Sequence, residues 1–236
     1  MSVSTLVPVR QDRVWEVYQQ VRDLIVRGKV APGFRLTEAD LNSRFGVSRT
    51  SVRAALQRLE QEGYITALRE GRRSRLMVAP LTQDDARELF AMVAEIEGLA
   101  AERAASLPTR PRNALVYTLN ELNSQYQRVA SAADGDGDEL FELDTRFHRA
   151  YVEAAAGPRL RSLHDAIKPQ IERYIRIYQT ALHDAIQTSI VEHALIVSEI
   201  SSGKGQRAQA AVRTNWRNAA VRLQAVIGAR GEAGNW

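Results

Sequence analysis

Asp144 and His148 stand four residues apart, so on a helix they share one face. Leu140, Phe147, Tyr151 and Val152 make that face an apolar stripe, which turns the two polar side chains towards a core. The pattern recurs downstream. His193 interrupts the stripe of Ile186, Ile190, Val197 and Ile200, and Asn215 interrupts that of Ala208, Val212, Ala219, Leu223 and Val226. An inward carboxylate costs several kcal/mol unless it is paired or holds a cation. Carboxylate oxygen and imidazole nitrogen together suit a borderline divalent metal such as Zn²⁺, Ni²⁺ or Mn²⁺, whose open positions could take a ligand carboxylate. The same side chains could equally close into a hydrogen-bonded network, Asp144 orienting one histidine and water filling the rest. His164 and His183 lack comparable company and are expected at the surface.

A second chemistry lies near the N-terminus. In Gly46–Ile65, Val52, Ala55, Leu56 and Leu59 form an apolar back, and Arg49, Thr50, Ser51 and Arg53 a leading polar face. Gly46 permits a left-handed turn and Ser48 can cap the helix. Arginine can fork onto guanine or phosphate and hydroxyls can reach phosphates or base edges, so this face suits a DNA major groove. The plainer alternative is an amphipathic surface helix.

The elements that must position these residues are legible in outline. A helical stripe from Asp12 to Arg27 follows a loose arm over residues 1–10, and Thr37 caps a short second helix carrying Leu41 and Phe45. With the Gly46 turn this is a helix-turn-helix. Tyr64–Leu68 and Arg75–Val78 read as strands around a turn, 69–74, with Arg69, Gly71 and Arg72 in it: a basic wing for phosphates or the minor groove. From Pro80 onwards the punctuation predicts helices at 83–106, 111–132, 138–155, 158–181, 184–202 and 205–228, with a frayed tail from Gly228. The expected fold is thus mainly α. A winged helix-turn-helix (1–79) precedes an all-α antiparallel bundle (80–236).

Composition agrees. The net charge of +4 divides into +6 over residues 1–79 and −2 over the remainder, so a nucleic-acid partner is expected for the first part alone. With no cysteine, disulfides and thiolate metal sites are excluded. No apolar run is long enough for a membrane span and no leader is recognisable, so a cytoplasmic location without membrane contact is expected.

These motifs support a resemblance. GVSRTSVRAALQRLEQEGYI, preceded by GKVAPGFRLTEADL, closely resembles the GntR family of bacterial transcription regulators. DTRFH at 144–148 and EH at 192–193 in a helical setting resemble the FCD effector domain of the FadR subfamily, and six helices suggest its VanR-like branch. The resemblance spans roughly residues 12–228. It implies a homodimer on a palindromic double-stranded DNA operator, with candidate contacts at Arg35, Ser48, Arg49, Thr50, Ser51, Arg53, Arg69, Gly71 and Arg72. It also implies an organic-acid effector and a divalent metal on Asp144, His148, His193 and a fourth residue. Two departures stand out: Asn215 occupies the fourth position where histidine is usual, and Val93 stands where the family often has a carboxylate-facing arginine. Arg103, Tyr174 and Tyr178, on inward stripes, are the candidate substitutes in the effector pocket.

A metabolite-responsive regulator, most simply a repressor, is therefore the leading expectation. A metal-dependent enzyme built on Asp144, His148 and His193 is the contrasting one, weakened by the lack of a spaced general base such as HExxH supplies. A non-specific architectural DNA-binding protein is the third.

Overall fold

The computed structural model describes residues 9–70, 73–132, 136–182 and 186–234. The chain divides at Leu81/Thr82 into two compact units.

In the first unit, α1 (Val9–Val26), α2 (Glu38–Phe45) and α3 (Arg49–Gln61) surround a core of Val17, Val21, Ile25, Val52, Ala55, Leu56 and Leu59. The local chemistry sets the turn between α2 and α3. Thr37 Oγ1 accepts the Asp40 N–H at 3.1 Å to start α2, Gly46 ends it at φ +63°, and Ser48 Oγ accepts the Ser51 N–H to start α3. A three-stranded antiparallel sheet follows in the order β1 (Arg35–Leu36), β3 (Arg73–Val78), β2 (Ile65–Glu70). The hairpin strands run further than their apolar residues suggest, with Glu70 paired to Arg73. β1 itself, Arg35 opposite Met77, is too short to leave a periodic signal.

The second unit comprises α4 (Gln83–Ala105), α5 (Thr109–Ser131), α6 (Gly137–Ala155), α7 (Pro158–Leu182), α8 (Ile186–Ser201) and α9 (Gly205–Arg230), each within two residues of expectation. Small residues let α4 and α9 approach closely. A Cβ on Gly98 would lie 3.1 Å from Gln209 Cγ, and one on Gly205 would lie 3.1 Å from the Glu102 carbonyl oxygen. Phe90, Phe147, Tyr151, Ile196, Val212 and Trp216 fill the interior.

The ends depart from expectation. Val9 and Arg10 belong to α1 rather than to a loose arm, and residues 1–8 lie outside the described residues. As far as residue 234 the tail is not frayed. After α9, the Ala233 carbonyl accepts the Leu81 N–H at 2.8 Å, and residues 232–234 group with the first unit. Long-range pairing of this kind leaves no periodicity to read.

Candidate functional site

Two helices bring three of the metal candidates together. Asp144 and His148 come from α6 and His193 from α8, and one ligand atom from each lies within 4.8 Å of the others. The two imidazoles are buried and Asp144 is partly exposed. His193 is seated by stacking on Phe147, with ring centroids 4.0 Å apart. Its protonation follows from its neighbours. Asn123 on α5 donates its amide N–H to the Ile190 carbonyl (3.1 Å), so its oxygen faces His193 Nδ1 at 3.3 Å and requires the proton there. Burial, only partly offset by Asp144, lowers the His193 pKa to about 3, so the ring is neutral. Nε2 is then a bare lone pair. It is buried without a hydrogen-bond partner, 3.5 Å from Asp144 Oδ1.

Behind His148 lies a residue that sequence reasoning missed. Glu97 of α4 is fully buried. Its Oε2 accepts from His148 Nδ1 (2.7 Å), the Tyr151 hydroxyl (2.5 Å) and the Trp216 indole N–H (2.8 Å), and its Oε1 from His164 Nε2 (3.0 Å). The Lys168 ammonium stands 3.8 Å from Oε1. Burial by itself would raise the Glu97 pKa, but His148, Lys168 and His164 hold the carboxyl well below its ordinary range. His164 is thus buried, not superficial as expected, and His183 lies outside the described residues. Both Glu97 and His164 carried the signal that revealed Asp144. Glu97 sits three residues after buried Ala94 and four before Ala101, and His164 lies seven before Ile171.

In the first unit, Ser48, Arg49, Thr50 and Arg53 are exposed on the leading face of α3, and Arg35 is exposed on β1. Ser48 also caps the helix. Ser51 is a correction: it is 5% exposed, and its hydroxyl lies 3.0 Å from that of Ser48, inside the cap. Arg53 is held by Glu38 of α2 through two bonds of 2.9 and 3.0 Å. Arg58, in a later turn, stacks over Trp15 and Tyr18. Arg69 falls on β2 opposite Ser74, with its side chain undescribed, and Gly71 and Arg72 lie outside the described residues.

The comparisons with known proteins match both units. Residues 14–73 match the model described as bacterial regulatory proteins, gntR family, and residues 88–218 match the FCD domain. The chain belongs to the GntR family of transcription regulators, with an FCD domain. It is similar to the uncharacterized HTH-type transcriptional regulator YdhC of Bacillus subtilis (strain 168): 26% identity over 90% of this chain and 91% of the relative. It is 34% identical to the HTH-type transcriptional repressor RspR of Escherichia coli (strain K12), over 66% of this chain and 64% of that protein. Its fold is that of the solved E. coli McbR/YncC (TM-score 0.68, 17% identity, 89% and 96% of the two chains covered). A GntR regulator from Rhodococcus sp. RHA1 is equally similar in fold (0.68, 21%, 90% and 97%).

Membership makes this GntR chain a DNA-binding regulator and not an enzyme. Within its FCD domain, Asn215 is buried and donates its amide N–H to Glu192 Oε2 at 2.8 Å, which leaves the carbonyl oxygen as its only ligating end. The three pocket candidates lie elsewhere. Arg103 is exposed in the last turn of α4, where a cation suits the helix C-terminus. The Tyr174 hydroxyl takes the Thr82 N–H at 3.1 Å and donates to Asp85 at 2.6 Å, and that of Tyr178 donates to the Gly231 carbonyl at 3.1 Å. Both tyrosines brace helix ends. An inward stripe placed them correctly in the core but not along its axis. Val93 is fully buried.

Proposed function

We propose that this chain is a homodimeric, metabolite-responsive repressor. Its α3 reads a palindromic operator, and its FCD domain binds a small organic acid through a divalent cation held by Asp144, His148, His193 and, more weakly, the Asn215 carbonyl oxygen. One observation carries the metal part. A neutral His193 presents a buried lone pair to a carboxylate oxygen at 3.5 Å, an acceptor facing an acceptor, and a cation between them relieves both. The donor set of two imidazoles and one carboxylate fits Zn²⁺, Ni²⁺ or Mn²⁺. Such an ion would supply Lewis-acid positions for an effector carboxylate. The repressor sign draws on relatives named as repressors, RspR and the gluconate operon transcriptional repressor of B. subtilis.

Around that ion, this chain's residues do the rest. Asn123 sets the His193 tautomer, Phe147 fixes the ring plane, and Glu192 orients the Asn215 amide. Regulation then follows from linkage: an effector that prefers the arrangement unable to bind DNA lowers operator affinity, and DNA lowers effector affinity by the same factor.

The test combines two measurements on the purified protein. Elemental analysis and Zn²⁺ titration after chelator treatment should give one site per chain, lost in His193→Ala. Gel shifts on the chain's own upstream DNA should show sequence-specific retention, weakened by an added organic acid only when metal is present. Absence of metal uptake would leave the hydrogen-bonded network in its place, and retention independent of sequence would sink the operator reading.

A further inference from the structure

A plain helical bundle has no use for Glu97. A leucine there would pack without the several kcal/mol that burying a carboxylate costs before its partners are counted. Yet donors from α6, α7 and α9 converge on this one group from α4: His148, Tyr151, His164 and Trp216, all within 3.0 Å. What sets Glu97 apart is which atom of His148 it holds. A ring nitrogen that donates its proton has no lone pair left, so with Nδ1–H directed at Glu97 only Nε2 can face the group formed with Asp144 and His193. A carboxylate behind an imidazole also makes the opposite nitrogen a stronger donor to a cation.

We propose that Glu97 is the positioning residue of the metal site. It locks His148 as the Nδ1–H tautomer and sets a negative charge behind the ring, so that the site is organised before any ion enters. It touches neither ion nor effector. His193 has the parallel arrangement with a neutral partner, Asn123, so the two histidines are pre-set by different means and Glu97 is the one that adds charge. A site backed in this way favours a borderline dication such as Zn²⁺ or Co²⁺ over Mg²⁺. The inference rests on the metal reading above.

The experiment titrates chelator-treated full-length protein with Co²⁺, following both its visible absorption and the affinity, in wild type, Glu97→Gln and Trp216→Phe. Glu97→Gln keeps the shape of the side chain and removes the charge. It is expected to weaken Co²⁺ binding about 10–100-fold and to alter the absorption. Trp216→Phe deletes a different donor to the same oxygen. It is expected to lower the melting temperature while leaving affinity within about twofold, the pattern of a merely structural role. Nitrogen-15 correlation spectra of metal-free wild type supply a check that needs no variant: His148 should carry its proton on Nδ1. Wild-type affinity and spectrum in Glu97→Gln, or an Nε2–H tautomer for His148, would overturn the assignment of Glu97 alone. No Co²⁺ uptake by wild type would overturn the metal reading and this inference with it.

Discussion

Asn123 decides which nitrogen of His193 carries the proton. Its amide is pinned by the Ile190 carbonyl at 3.1 Å, its oxygen lies 3.3 Å from Nδ1, and the lone pair of Nε2 is thereby left towards Asp144. Asn123→Leu removes the acceptor and frees the tautomer. Zn²⁺ affinity should fall by about tenfold, at the lower end of what outer partners of ligating histidines contribute. Isothermal titration of metal-free protein measures it, and unchanged affinity would show that packing on Phe147 alone seats the ring.

The metal-free FCD domain should lose stability as pH falls. His193 has a pKa of about 3 in the folded chain, depressed chiefly by burial, against an ordinary value of 6.5. Between those values the unfolded chain takes up a proton that the folded chain refuses. Stability is therefore undiminished above pH 6.5 and declines as pH drops towards 3, by at most about 1.4 kcal/mol per unit. Thermal melts in chelator between pH 7 and pH 4 should show the decline. In His193→Gln the slope should be shallower, and an identical slope would mean that another group dominates.

Under the proposed operator reading, Arg49→Ala should reduce operator affinity by roughly 5- to 150-fold and relax base preference at one position, the cost of losing about 1–3 kcal/mol of base readout. Ser51→Ala makes the contrast. Ser51 is buried within the cap of α3, so the change should lower the melting temperature by a few degrees while the folded protein keeps its base preference. Fluorescence anisotropy on operator and scrambled duplexes separates the two effects.

Glu38 holds Arg53 by two bonds on an exposed surface, so it neutralises a cation that the proposed operator reading turns towards phosphate. Glu38→Gln should raise affinity for non-operator DNA several-fold and steepen the dependence of log K on log salt by about one unit. An unchanged salt slope would indicate that Arg53 already releases Glu38 on binding.

The C-terminal tail is part of the first unit's structure. Gly234 adopts φ +82°, and a Cβ there would come 2.5 Å from the backbone carbon of Pro32. Gly234→Ala should cost more than about 1 kcal/mol, because the strained backbone and the clash add. Gly231→Ala, at φ +87° with nothing within 4 Å, should show the conformational cost alone. Equal melting temperatures for the two variants would argue that the tail undocks readily.

The sequence by itself determined the elements and their faces. Apolar residues at spacings of three and four, interrupted by proline and glycine, marked each FCD helix to within two residues. Thr37, Gly46 and Ser48 marked the helix-turn-helix, because caps and turns are local chemistry. It also placed Asp144, His148 and His193 inward, since a stripe defines a direction. Tertiary structure decided everything that depends on position along a helix axis or on a distant partner. Tyr174 and Tyr178 share the inward stripe yet brace helix ends, and the short β1 and the Ala233 bridge form only because remote backbone comes alongside. Glu97 and His164 depend most on tertiary structure for their roles. A single polar residue on an apolar stripe is seen to point inward, but its partners are set by the fold, and only the packing of α4 against α6, α7 and α9 places their donors around one carboxylate.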